Sequence, residues 1–278
     1  MKFNPIQHIE NDGLDIMEVG NWAQKKYKLV GKYCDIFTTG MKNKWNLVYI
    51  DLFTGPGIVK IKETPTMMKN SALIAMSLPN SFQHYVLNDY SASTVKSLEK
   101  RIERLYPDKS YKIYNGDANQ VVDTIFDDLP AYLKLSNPLF FAFIDPFSLN
   151  LHFETIKKLA VRQVDILVLH ALQMDGIRNM GHYIKENNPK LDLFFGDSNW
   201  RTRISDEQVA KSKFVKFLSD EFDENIKKLG YKAALIKERI TNSQGSGIYY
   251  LSFYSKHDRG LEFFEKVRKS NNDQFELF

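Results

Sequence analysis

Residues 232–254 read KAALIKERI, TNSQGSG, IYYLSFY: an apolar run at Lys232–Ile240, a polar, Gly-rich link at Thr241–Gly247, and a second run at Ile248–Tyr254. Both runs read as strands. The link has no room for the crossover of a dozen or more residues that parallel neighbours require, so these strands, if adjacent, are antiparallel. Upstream, five other strand patterns alternate with helical ones. They are Trp45–Phe53, His84–Leu87, Tyr111–Tyr114, Leu139–Ile144 and Asp165–Leu172. Strands alternating with helices make a parallel sheet covered on both faces. The expected fold is therefore α/β: a doubly wound, seven-stranded, mostly parallel sheet with a final antiparallel strand.

The helices follow from spacing. Tyr27, Val30, Tyr33, Cys34 and Phe37 recur at three- and four-residue intervals and predict a helix over Trp22–Met41. Others are expected from Asn70, over Ser91–Tyr106, Val121–Leu129, Phe153–Ala160 and Asp206–Leu229, and from Arg259 to about Lys269. Residues 1–20 read as an arm or a short helix. Residues 21–278 read as one domain, with an irregular insertion at about 173–205.

A chain of 278 residues with 43% apolar and 26% charged residues has the composition of a folded domain, which excludes a disordered chain, a coiled coil or a collagen-like fibre. The single cysteine, Cys34, allows no intrachain disulfide and argues against a Cys-based zinc site. It fits a reducing compartment, so a cytoplasmic location is expected. The start is polar, and the most apolar stretch, Leu139–Ile144, is far short of the ~20 residues a membrane span needs; no membrane contact is expected. Lys and Arg exceed Asp and Glu by 38 to 34, a net charge of +4 that permits a nucleic-acid partner without demanding one. Aromatics reach 13%, with 20 Phe and 14 Tyr. Either the core is Phe-rich or a site stacks something flat.

Four strand ends carry candidate chemistry. Asp51-Leu52-Phe53-Thr54-Gly55-Pro56-Gly57 follows the first strand. In such sheets ligands bind beyond the carboxyl ends of the strands, and glycines there let the backbone approach them. Asn88-Asp89 closes the second strand, where an acidic side chain can take two ribose hydroxyls. Gly116-Asp117-Ala118-Asn119 closes the third, where a carboxylate can accept an adenine amine. Each Asp could equally be a helix cap. Their joint occurrence at one sheet edge suits one nucleoside-like ligand better than three independent caps. Phe143-Ile144-Asp145-Pro146-Phe147 closes the fourth strand. There the carboxylate and a carbonyl can accept both hydrogens of an exocyclic amine, with a ring stacked on its base.

In this order, YIDLFTGPG, VLNDY, NGDAN and FIDPF resemble class I S-adenosylmethionine-dependent methyltransferases, a Rossmann-like fold, and within them the three-Cys-motif partner protein family. Asn70-Ser71-Ala72-Leu73 stands where that family has a Ser-Pro-Leu segment. Tyr250–His257 resembles its strand ending in a polar-His pair, with Gly260-Leu261 following. The similarity spans roughly residues 20–270. It implies S-adenosylmethionine as cofactor, its methionine end held by Asp51, Gly55 and Gly57, its ribose by Asp89 with Asn88 and its adenine by Asp117, with Phe53, Pro56, Gly116 and Ala118 also cofactor-binding. Asp145, Pro146 and Phe147 would form the methyl-transfer site. The implied function is a methyltransferase acting on a nucleic-acid base nitrogen; the alternative is a catalytically silent module that partners a three-Cys-motif protein. Two departures are visible. Thr54 replaces a small Ala, and Phe147 falls one residue earlier than the ring of the D-P-P-Y/F pattern of amino-methyltransferases. His170 reads as a buried histidine that could instead line the site. Asp197–Arg203 reads as a substrate loop or a plain surface loop. The oligomeric state is not legible.

Overall fold

The computed structural model describes residues 3–185, 187–205, 211–241, 245 and 247–272. In chain order the strands are β1 Met17–Val19, β2 Leu47–Asp51, β3 Ile58–Ile61, β4 Met67–Lys69, β5 His84–Asp89, β6 Tyr111–Asn115, β7 Leu139–Ile144, β8 Val164–His170, β9 Lys232–Ala233, β10 Glu238–Thr241 and β11 Gly247–Ser255. The helices are α1 Trp22–Met41, α2 Ser71–Met76, α3 Ala92–Leu105, α4 Ala118–Val121, α5 Ala131–Ser136, α6 Phe153–Leu159, α7 Met180–Tyr183, α8 Lys190–Phe195, α9 Trp200–Arg203, α10 Lys211–Lys227 and α11 Asp258–Asn272, with a π-helical turn at Leu172–Gly176.

The main sheet runs β10-β11-β8-β7-β2-β5-β6, with β9 also paired to β11. The five strands from β8 to β6 are parallel, and β11 enters antiparallel between β8 and β10. This is the expected doubly wound sheet with an antiparallel strand near its end. The sheet holds eight strands rather than seven, because the run Lys232–Ile240 divides into β9 and β10. Exposed Leu235 and Ile236 lie in the break.

Side-chain alternation builds the core. Val48 and Ile50 of β2, Phe140, Ala142 and Ile144 of β7, and Val164, Ile166 and Val168 of β8 face one apolar layer. Leu47, Tyr49, Leu139, Phe141, Phe143, Leu167 and Leu169 face the other. Strands covered on both faces need continuous apolar sequence, and β2, β7 and β8 are buried throughout. Helices α1, α2, α3 and α11 cover the second face, where Tyr33, Phe37, Tyr49, Phe82, Phe141, Phe253 and Phe264 pack ring on ring. Most of the aromatic excess is therefore core.

Other expectations change. The loop Ile58–Lys69 is a β-hairpin, β3–β4. The helix expected over Val121–Leu129 is only α4, followed by turns, with α5 beyond. Of the helix expected over Asp206–Leu229, residues 206–210 lie outside the described residues and Lys211–Lys227 is helical. The segment read as an arm packs on the domain: β1 pairs parallel with β3, and His8 bridges to Met68. Within 173–205, Trp200 is buried against Phe195 and Phe217 and donates to Asp192 at 2.7 Å. The aromatic of the Asp197–Arg203 stretch is thus a core anchor, belonging to neither a substrate loop nor a plain surface loop. No described helix is long and apolar enough to cross a membrane.

Candidate active site

Strand order reverses between β2 and β7, so the loops after them diverge and leave a crevice at the carboxyl edge of the sheet. Two adjoining cavities occupy that edge, sharing Phe53, Asp89 and Phe147. The larger, about 420 Å³, is lined by the ends of β5 and β6, with Asn88, Gly116, Asp117 and Ala118 among its residues. The smaller, about 260 Å³, is lined by Asp145, Pro146, Gly55, Trp22, Lys26 and Tyr249, with Met17–Gly20 along one wall.

Asp89 is the hinge between them. Its Oδ2 accepts from the Gly55 amide at 2.9 Å and its Oδ1 from the Ser91 amide at 3.0 Å. One carboxylate thereby sets the glycine loop and the start of α3 together. Asn88 is buried; its amide donates to Leu52 O at 3.0 Å and Gly116 O at 3.1 Å, tying three strand ends. Its Oδ1 is buried without a partner. Such an orphan acceptor is costly and calls for a donor from a ligand or water. Asp117 caps α4 through the Asn119 amide at 2.9 Å and also lines the larger cavity.

The glycine loop needs its glycines. Gly55 and Gly57 have φ of +64° and +97°, closed to most side chains. A Cβ on Gly57 would stand 3.1 Å from both Leu73 and Leu98. Gly57→Ala is expected to lower stability by about 1–3 kcal/mol, read as a fall in the urea midpoint; an unchanged midpoint would show that the loop relaxes freely. Pro56 and Gly57 turn away from both cavities; Pro56 O accepts from buried Arg101 at 2.5 Å. Thr54 donates its hydroxyl to Asn88 O at 3.2 Å.

Asp51 lies beneath the loop, fully buried and lining neither cavity. It accepts from Ser71 at 2.7 Å, Tyr49 at 3.1 Å and the Phe53 amide at 3.3 Å. Burial pushes its carboxyl up to about 7 against the pull of those donors. Ser71 opens α2, whose cap Asn70 also donates to Thr54 O.

Asp145 stands two residues after Phe143, the cross-strand neighbour of Asp51. Its Oδ2 accepts from Lys26 Nζ at 2.5 Å. Lys26 comes from α1 and is 2% exposed, while Asp145 keeps 14% of its surface. Burial, the largest single influence, would pull the ammonium down, but Asp145 together with Tyr27 and Tyr249 outweighs it and Lys26 rests above the ordinary lysine range. Phe147 is 75% exposed at the boundary of the cavities. His170 lines neither; it is buried against Phe194 and Phe222, and burial holds it well below the usual imidazole range.

Lys26, Trp22, Tyr249 and the Met17–Gly20 wall escaped sequence reading. Lys26 sits on the buried stripe of a helix whose register predicts an apolar residue there, and a charged residue on such a stripe is the one signal that could have marked it.

No protein-family model matches the chain, and no curated protein matches it by sequence. Solved structures are similar in fold. Protein LPL1258 of Legionella pneumophila is 12% identical with a TM-score of 0.52, over 90% of this chain and 92% of that one. An O-methyltransferase from Bacillus cereus, in complex with SAH, is 14% identical with a TM-score of 0.47, over 81% and 80%. TYW2 of P. horikoshii, in complex with MeSAdo, is 13% identical with a TM-score of 0.42, over 92% and 73%.

Proposed function

We propose that this chain is an S-adenosylmethionine-dependent methyltransferase acting on an amine nitrogen of a nucleic-acid base. One observation carries the reading. Asp117, Asp89 and Asp145 stand in sequence along two adjoining cavities at the carboxyl ends of β6, β5 and β7. The residues fit the cofactor: an orphan buried acceptor at Asn88, a carboxylate at each of two strand ends, and a glycine loop closed against side chains by its φ angles.

The cofactor supplies an electrophilic methyl group on a sulfonium. The larger cavity would hold the nucleoside half, with Asp89 and Asn88 for the ribose and Asp117 for the adenine amine. Gly55 and Phe53 would hold the methionine end. Asp51, sealed below, acts on that end by shaping the loop. Asp145 accepts an acceptor amine's N–H and so turns the nitrogen lone pair toward the methyl carbon, a positioning effect. Methyl transfer would break the sulfonium S–CH3 bond and leave a neutral thioether, and the proton shed by the methylated nitrogen would pass to the Asp145 carboxylate and on to solvent. Lys62 brings a cation to the cavity lining, which suits a flanking phosphate.

Calorimetry with S-adenosylmethionine and S-adenosylhomocysteine tests the cofactor; no heat at millimolar ligand sinks the reading. Asp117→Ala and Asp89→Ala are each expected to weaken binding by at least about tenfold, the worth of one or two charge-assisted hydrogen bonds. Tritiated-methyl transfer to bulk DNA, RNA and protein then tests the substrate class. Binding without transfer to any of them would favour the silent module that partners another protein.

A further inference from the structure

We infer that Lys26 is a specificity-determining residue: seated on the Asp145 carboxylate inside an aromatic cavity, it makes the acceptor site one for a neutral, flat amine and closes it to ammonium groups such as a protein lysine. The inference rests on the reading of Asp145 as the group that faces the acceptor.

Three features set this lysine apart. Its ammonium lies 2.5 Å from Asp145 Oδ2 and almost wholly out of water. It also lies 4.5 Å from the Tyr27 ring centre and 5.1 Å from that of Trp22, where ring faces attract a cation. And both partners of the ion pair line the same cavity. A pair that served only to join α1 to the loop after β7 would be replaced at no loss by apolar side chains of similar volume, because removing two charges from water costs as much as their attraction returns. Here the pair faces the space where the acceptor must lie.

The charges act differently on different visitors. To a third charge a few ångströms away, an ammonium 2.5 Å from a carboxylate oxygen cancels most of the carboxylate's field. An incoming ammonium therefore gains little and meets a like charge. A neutral N–H donor is served by short-range, directional lone pairs, and an ionised carboxylate keeps several after Lys26 takes its share. The other carboxylates on the cavity do not restore the attraction. Glu18 faces Lys60 at 3.6 Å, and Asp89 shares the cavity lining with the cation Lys62. The walls complete the preference. Trp22 and Tyr249 meet with ring centres 4.9 Å apart, and Phe53 and Phe147 line the side toward the cofactor cavity. Flat faces favour a ring that carries its amine in its own plane.

The test compares wild type with Lys26→Arg, Lys26→Gln and Lys26→Met, each checked for folding by circular-dichroism melting. The probes are random-sequence single-stranded RNA and DNA pools and a lysine-rich peptide. Fluorescence anisotropy with S-adenosylhomocysteine present gives affinity, and tritiated-methyl transfer gives kcat and KM. Wild type and Lys26→Arg are expected to bind and methylate a nucleic-acid pool and to leave the peptide unmethylated. Lys26→Gln is expected to lose about tenfold in kcat on the pool with KM nearly unchanged, and to bind the peptide about tenfold more tightly than wild type does. Lys26→Met should do the same more strongly; should it fail to fold, Lys26→Gln decides. Wild-type transfer to the peptide at a rate matching the pool, or an unchanged pool-to-peptide ratio in folded Lys26→Gln, overturns the inference while leaving the cofactor reading intact. Absence of S-adenosylhomocysteine binding in wild type overturns both.

Discussion

Asp145→Ala is expected to lower methyl transfer by about 10³-fold or more, to the limit of detection, with S-adenosylhomocysteine affinity within about threefold of wild type. The asymmetry follows from position. Asp145 lines the smaller cavity with Lys26, Trp22 and Tyr249 and is absent from the wall of the larger, where Asn88, Asp89 and Asp117, the residues proposed to hold the nucleoside, lie. Deleting it removes the acceptor for the amine and leaves the adenosine site whole. It also strands the Lys26 ammonium, which is 2% exposed. Breaking a buried pair costs about 3–5 kcal/mol, less where one partner borders an open cavity, so about 2–3 kcal/mol is expected here. At about 2–4 °C per kcal/mol for a domain of this size, Tm should fall by about 4–12 °C, and transfer must be measured well below that. Asp145→Asn, of nearly the same shape, separates folding from chemistry: it too should fail in transfer. Loss of cofactor binding in either variant would move Asp145 to the cofactor's side of the site.

Arg101→Met is expected to give the largest loss of stability, about 3–5 kcal/mol, with a parallel loss of cofactor affinity. Arg101 is fully buried in α3. Its guanidinium donates to both oxygens of Asp12 at 2.5 and 2.9 Å, to Asp15 O at 2.7 Å and to Pro56 O at 2.5 Å. One planar fork thus fastens the N-terminal segment to the glycine loop, a geometry that no single-point cation reproduces. Methionine fills the stem and leaves two carbonyls unpaired. Urea unfolding reads the stability and calorimetry the affinity; a midpoint close to wild type would mean that water replaces the fork. The hydrogen bond from Arg101 holds the Asp12 carboxyl well below the usual carboxylate range. A folded value below the unfolded one, ~3.9, stabilises above that pH and is lost as pH falls through the folded value. The gap between wild type and variant should therefore be full at neutral pH and narrow in acid.

Much of the sheet was legible because its causes are local. The stripe of α1 is a 3.6-residue period, and Trp22–Met41 is helical over the expected span. The runs of β2, β7 and β8 are continuous because both faces are covered. Boundaries slipped where local signals compete. The Ile58–Lys69 stretch, read as a loop, closes as a hairpin, since its alternation is only a few residues long. The N-terminal segment carries too few apolar positions to announce a strand; β1 forms because β3 offers it an edge.

Of the site, the residues on one strand end each were the readable part: Asp51, Asp89, Asp117 and Asp145 follow apolar runs, and the fold rule places such residues at one edge. Their division of labour was not readable. Asp51 is sealed under the loop while Asp89 serves both cavities, and nothing in DLFTGPG or LNDY separates them.

The sequence by itself determined the class of fold and the antiparallel close of the sheet, through periodicity and the seven-residue Thr241–Gly247 link, which acts between chain neighbours. It also placed part of the aromatic excess on strand patterns, Phe140, Phe141, Phe143, Tyr249, Tyr250 and Phe253 among them. Only the tertiary structure decided which distant side chains meet in the cavity beyond β7 and under the glycine loop. Lys26 and Asp145 are 119 residues apart, and Arg101 and Asp12 are 89 apart. A charge buried by a distant partner leaves no period in the chain, because its cost is offset across space and not along sequence.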